Sequence, residues 1–298
     1  MRSKLSLIHE NAHLNTFHPN QLNWPKVSGT EELDFVSMMA FGETRHHEKA
    51  IAYLTKEFAQ LAEIERHVSA VMAIVMAELQ ADGHPLAEGF ELHNALSNFA
   101  AEELNHANMF YRYVRLLSGR DFRYPDNLFT ERVGLYEGSD SPLVKLAALC
   151  CSAYIGESVI TVFEHRTQAY DPERKFFLSQ MLYAHGLDEA RHIKTDHYVF
   201  DYVIPSLSVQ ETRRMRQILD ATETLNTELA GRFERFTKAQ FGIDYTEGNL
   251  GHSTQLLLTR MFRQKVFGGS EIHKVDEVLN EADRELIQAF AHAQVVHP

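Results

Sequence analysis

Glu102-Glu103-Leu104-Asn105-His106 and Asp188-Glu189-Ala190-Arg191-His192 are the two stretches that decide how this chain folds. Each opens on an acid pair, and the second acid stands three residues before a histidine. Glutamate and histidine at i and i+3 project from one side of a helix, about one turn apart. Around the first motif Leu92, Leu96, Phe99, Glu103, His106, Phe110, Tyr113 and Leu117 follow alternating steps of four and three, one unbroken helical face. Around the second, Leu178, Leu182, His185, Glu189, His192, Asp196 and Val199 share a face. Both glutamates and both histidines therefore lie inside stripes that should face a core.

Working outward, the helix before each motif carries another core-facing glutamate. Leu54, Phe58, Leu61, Glu65, Val68, Met72, Val75 and Leu79 form one stripe; Ala147, Cys150, Tyr154, Glu157 and Thr161 form the other. Antiparallel helices joined by a tight turn bring residues equidistant from that turn to one level. A first turn at Asp82-Gly83-His84-Pro85 sets Glu65 level with Glu103 and His106. A second near Asp171 sets Glu157 level with His185 and Glu189. Glu164 shares the phase of Glu157 but sits about two turns nearer the loop, so it stands as the alternative residue from this helix.

Ionised carboxylates inside a bundle are costly unless opposite charge sits among them. One in-phase glutamate ordinarily snorkels or pairs with a lysine, and one buried histidine is ordinarily a hydrogen-bonded core residue. Here such residues recur in phase and in register, with no matching stripe of Lys or Arg. Metal cations are the compensating charge this pattern predicts. Four glutamates and two histidines make the cage described for di-iron and di-manganese carboxylate bundles. Oxygen and imidazole ligands suit iron or manganese, so the expected cofactor is two Fe ions, with Mn possible. Glu102 and Asp188, four residues before His106 and His192, can accept the imidazole N–H that faces away from metal. Asp196 can serve the same role or form a polar patch. The same Glu-x-x-His spacing at Glu10–His13 and Glu43–His46 falls in the N-terminal arm and at a helix start, and is expected to be incidental.

The remaining sequence predicts a single all-α domain over residues 1–298. It consists of an irregular arm (1–29), a di-metal four-helix core (43–203) and accessory helices (208–298). Thr30-Glu31-Glu32 opens a short helix ending near Gly42, and residues 119–140 read as a crossover loop. Asp140-Ser141-Pro142 starts the third core helix. Ser208 to Glu211 is a capping box for a helix to about residue 241. The tail offers one or two helices around Gly268-Gly269. A net charge of −12 argues against nucleic acid and anionic membrane as partners. No apolar run approaches the roughly 20 residues of a membrane span, and the N-terminus lacks the apolar core of a signal peptide. The two cysteines, Cys150 and Cys151, are adjacent and offer no disulfide framework. A cytoplasmic protein is expected.

These residues look like the ferritin-like di-iron superfamily, a four-helix bundle with extra N- and C-terminal helices here. His185-x-x-x-Glu189-x-x-His192 adds a histidine one turn before the usual motif. This resembles the p-aminobenzoate N-oxygenase family, arylamine oxygenases in which one iron takes an additional histidine. The resemblance covers roughly residues 50–203. It implies as ligands Glu65, Glu103, His106, Glu157, His185, Glu189 and His192, and N-oxygenation of an arylamine through a peroxo-di-iron intermediate. Dioxygen, a small aromatic or amine substrate and an external electron donor are then the expected partners. The chain has no Gly-x-Gly-x-x-Gly turn and too few cysteines for an iron–sulfur cluster, so a ferredoxin or reductase would supply electrons. A homodimer is expected. Tyr53, Met72, Phe99, Tyr154 and Phe163 can line an aromatic pocket or simply build core. Arg66 and Arg191 can hold a substrate carboxylate, or Arg191 can pair with the acids of its own motif. Three other readings remain: a hydroxylase or desaturase of the same architecture, a ferroxidase or iron-binding protein, and a non-catalytic helical interaction domain.

Overall fold

The computed structural model describes residues 4–81, 91–268 and 279–291. The turn expected at Asp82–Pro85, the start of the second core helix and Gly269 lie outside them. Two long helical pairs form the centre: α3 (His47–Ala81) with α4 (Glu91–Ser118), and α6 (Pro142–Tyr170) with α7 (Phe177–Tyr198). No strand occurs among the described residues. Each pair is held by the stripes that carry the acidic motifs, so the residues that pack the bundle also set the level of its polar centre.

The N-terminal arm is not irregular as expected. It contains a helix, α1 (Lys4–Asn15), whose Leu5, Ile8 and Ala12 are buried against α4 and α7. Three apolar positions among polar residues make too short a stripe to read, and a helix this short depends on tertiary packing rather than propensity. After it, α2 (Thr30–Phe41) stops at Gly42, whose φ of 74° is the left-handed cap that favours glycine. The Glu32 carboxylate of α2 caps α7 from a distance. Its oxygens accept the backbone N–H groups of Phe177 and Leu178 at 2.8 and 2.9 Å, replacing bonds that a helix start otherwise lacks.

The crossover of 119–140 likewise contains a short helix, α5 (Phe129–Gly134). Asn127 Oδ1 accepts the Phe129 N–H at its start, and Arg132 is fully buried, donating to the Glu63 carbonyl at 2.8 Å. A single buried arginine in a loop-like composition leaves no periodic trace.

Helix α6 corrects the expectation that no apolar run reaches spanning length. Its best window has a mean hydropathy of 1.7, and 67% of that window is buried inside the bundle. A helix apolar on all sides needs cover on all sides, and α6 touches α3, α7 and three later helices. These are α8 (Val209–Phe241), α9 (Leu250–Gly268) and α10 (Glu281–Ala291). Cys150 and Cys151 lie fully buried on it as free thiols, and burial pushes both thiols up from their ordinary pKa. Helix α7 passes through a π-helical turn at Val199–Val203 before Pro205. Helix α8 starts on the expected capping box: Ser208 Oγ accepts from the Glu211 N–H at 3.3 Å, and Glu211 Oε2 accepts from the Ser208 N–H at 2.8 Å.

Candidate metal centre

Glu65, Glu103, His106, Glu157, His185, Glu189 and His192 are all buried, the most open being Glu157 at 6%. They come from α3, α4, α6 and α7 and meet in the middle of the bundle. Two overlapping groups emerge: Glu65, His106, His185 and Glu189, and Glu103, His106, Glu189 and His192. Within each, the potential ligand atoms all lie within 4.8 Å of one another. His106 and Glu189 belong to both groups. Glu157 stands at the edge, its Oε1 4.0 Å from His192 Nδ1.

The imidazoles reveal the logic. His106 Nδ1, His185 Nε2 and His192 Nδ1 point inward, each 3.2–3.3 Å from Glu189 Oε1. Among the described residues these three nitrogens, Glu189 Oε1 and both Glu157 oxygens find no hydrogen-bond partner, though all are buried. Unpartnered buried polar atoms are rare and each needs an explanation. Here they converge on one centre, and their chemistry is that of iron or manganese ligands. The residues present therefore fit a two-ion site.

Each outward nitrogen is held by a carboxylate. His106 Nε2 lies 3.1 Å from Asp188 Oδ2, His192 Nε2 3.0 Å from Glu102 Oε2, and His185 Nδ1 2.6 Å from Glu164 Oε1. Glu102 and Asp188 do back the histidines, but each serves the opposite helix. Residues four apart on one helix lie side by side, so the outward nitrogen faces the neighbouring helix instead. Arg191 ties the crossed pair together, donating to Glu102 at 2.6 Å and also to Asp188. Thr16, just past α1, adds a bond to Glu102 at 2.8 Å. Arg191 thus pairs with its own motif rather than facing a substrate. Asp196 backs no histidine: it lies beside Glu157 and Cys150, and burial raises its carboxyl to about 7. Between Glu157 and Glu164, the first faces the cluster and the second holds His185 from behind.

Without metal, the cluster balances its charge with protons. Burial alone would lower the His185 pKa, but the Glu189 charge and the Glu164 bond outweigh it and raise it to about 9. Burial likewise opposes charging of His106 and His192, but bonds to Asp188 and Glu189 raise the first, and the Glu189 charge with the Glu102 bond raises the second. Burial and the neighbouring acids hold Glu103 and Glu157 well above the carboxylate range. Burial also opposes ionisation of Glu65, yet a bond from Glu103 and the nearby imidazoles of His106 and His185 bring it to about 2.

Solved structures of R2-like ligand-binding oxidase variants superpose on this chain. One, with an anaerobically reconstituted Mn/Fe cofactor, gives a TM-score of 0.56 at 17% identity, covering 88% of this chain and 92% of that one. Another, aerobically reconstituted with Mn/Fe, gives 0.55 at 14% identity over 88% and 93%. The two share the ferritin-like helical fold. No protein-family model and no curated protein matches the chain.

Several expected residues lie elsewhere. Glu43, exposed, and His46, half-buried against Phe41, lie 3.5 Å apart beside Arg45, away from the cluster. Glu10 lies on α1, and the side chain of His13 is outside the described residues. Phe99 stacks on His192 with centroids 3.8 Å apart, and Met72 and Tyr154 are plain core. Tyr53 and Phe163 do line a cavity. Arg66 pairs with Glu63, which also accepts from Tyr111 and Asn127. Sequence reading missed the Glu63 network and the role of Glu164. Its one visible trace for Glu164 was the phase shared with Glu157.

Proposed function

We propose that the chain is an oxygen-activating di-iron oxygenase whose substrate is an amine, N-oxygenated at the buried centre. Glu65, Glu103, His106, Glu157, His185, Glu189 and His192 would hold two Fe ions, with Mn as the alternative. The ions would supply the binding and reduction of dioxygen that protein side chains cannot perform. The convergence of unpartnered imidazole and carboxylate atoms, each imidazole anchored by its own acid, carries this reading. Such anchoring fixes the tautomer and increases the basicity of the inward nitrogen. The R2-like oxidases that share the fold are described with a Mn/Fe cofactor, which agrees with an oxidative role. The third histidine beside the motif favours N-oxygenation over hydroxylation or desaturation, because it matches the arylamine oxygenase pattern.

The chain's own groups have clear tasks. Glu102, Asp188 and Glu164 orient the three rings, and Arg191 offsets the charge of the first two. Phe99 over His192, and Phe110 with its centroid 5.0 Å from that of His185, exclude water from the ring faces. Electrons would come from a separate ferredoxin or reductase. The test is to titrate the protein anaerobically with ferrous iron, then expose it to oxygen with a reductant and aromatic amines, reading products by mass. Two irons per chain and an added oxygen on nitrogen are expected. Two irons with oxygen consumed but every amine unchanged would remove the N-oxygenation claim and leave the oxidase. No stoichiometric iron would overturn both.

A further inference from the structure

No residue of the cluster is more than 6% exposed, so an ion arriving from solvent must displace something to reach it. The cavity lined by Tyr53 and Phe163 is not a way in: neither a residue of the cluster nor an acid behind it stands in its wall. A second cavity, of about 220 Å³, lies between α6 and α7, and its wall includes Glu164 and Gly186. Glu164 Oε1 is the atom 2.6 Å from His185 Nδ1. One carboxylate therefore separates this cavity from a ring of the cluster. At the rim, Gln168 of α6 and Ala190 of α7 are exposed to solvent.

The three acids behind the histidines are not equally fixed. Glu102 accepts from Arg191 and Thr16 besides meeting His192, and Asp188 meets both Arg191 and His106. Both are sealed from solvent. Glu164 is 9% exposed, and among the described residues its carboxylate meets one side chain, His185. Of the three, it is the acid that can turn away by breaking a single bond.

The wall around it suits a cation in transit. Thr161 Oγ1 and Ser179 Oγ are buried with no partner among the described residues. Such atoms are rare, and oxygens beside a carboxylate can replace part of the water that a divalent ion sheds. Thr161 stands four residues after Glu157 and three before Glu164, one turn from each on the same helix. It thus links the acid of the cavity to an acid of the cluster. Arg174, also in the wall, is drawn onto the face of Tyr183, 3.8 Å from the ring centroid.

We propose that the cleft between α6 and α7 is the entry for divalent metal ions, and that Glu164 is its gate. Bonded to His185, the carboxylate closes the way; turned into the cavity, it receives an ion and returns with it toward the ring. The proposal rests on the two-ion reading of the cluster, not on the reaction that follows.

Stopped-flow mixing of the full-length, metal-free chain with cobalt(II) under argon, read by visible absorption, gives the uptake rate. Transfer of bound cobalt to excess EDTA gives the release rate. Ala190→Trp and Gln168→Trp, at the exposed rim, should slow uptake and release alike by at least tenfold while equilibrium affinity and bound stoichiometry stay unchanged. Leu256→Trp, at an exposed position in the wall of the other cavity, should alter neither rate. Arg174→Glu should speed uptake, and more at low than at high salt. Glu164→Ala should speed release at least tenfold, and Ala190→Trp added to it should slow release again, which a merely structural role for Glu164 does not predict. Native rates in both folded rim variants, or equal slowing by Leu256→Trp, would overturn the entry and leave the metal centre standing. No stoichiometric cobalt in the native chain would overturn both. Rim-sensitive rates in a chain that consumes no oxygen would keep the gate and remove the oxygenase.

Discussion

The Glu164 carboxylate occupies the space where a side chain at Gly186 would begin. A Cβ there would stand 2.4 Å from Glu164 Oε2 and 2.9 Å from its Cδ. Gly186 follows His185, so the residue beside the histidine makes room for the acid that holds it. Gly186→Ala should push Glu164 off the ring and weaken metal binding by about 10- to 100-fold, the range for lost outer partners of metal-binding histidines. Competition against a calibrated chelator measures this, with circular dichroism as the folding control. An affinity equal to that of the native chain would mean Glu164 does not position His185.

The crossed acids make a prediction that same-helix pairing would reverse. Glu102→Gln should perturb the ring of His192 and leave His106 little changed; Asp188→Asn should do the opposite. Imidazole nitrogen shifts in the metal-free protein separate the two rings. Each variant should also lose about tenfold or more in iron affinity.

Metal uptake should depend steeply on pH. The metal-free pKa of His185 is about 9, above the ordinary value of about 6.5. A ligand must shed its proton before it binds a cation. Affinity should therefore rise between about pH 6.5 and 8.5, with protons released into weakly buffered solution. The same raised value stabilises the metal-free fold most below about pH 6.5, and that contribution is lost as pH rises through about 9. Thermal melts of metal-free protein should accordingly weaken over this window. Flat affinity from pH 6.5 to 8.5 would contradict the proton-filled cluster.

Glu32 should matter to α7 although it lies 145 residues away in sequence. Glu32→Ala removes both acceptors from the first turn of the helix that carries His185, Glu189 and His192. A lost cap of this kind costs about 1–2 kcal/mol, measurable by urea unfolding of the metal-free chain. A change within experimental error would mean that water replaces the cap without penalty.

The bundle and its cluster were largely legible because 3.6-residue periodicity records which residues face inward. Glu65, Glu103, His106, Glu157, His185, Glu189 and His192 each interrupt an apolar stripe, and such interruptions survive in one dimension. What periodicity cannot record is which neighbouring helix an outward atom meets. Hence the exchange of Glu102 and Asp188 between histidines was invisible, as was Glu164 behind His185. Helix α1 was missed because its buried stripe is only Leu5, Ile8 and Ala12.

The burial of Cys150 and Cys151 on α6 has a chemical consequence. Only a thiolate reacts readily with peroxide or disulfide, and both groups are held in their protonated form, sealed from solvent. A catalyst of the proposed kind would leak damaging oxidants, and its most vulnerable sulfur atoms would normally be the first casualties. In this chain both are kept inert, so repeated cycling and handling in air should leave its thiol count at two.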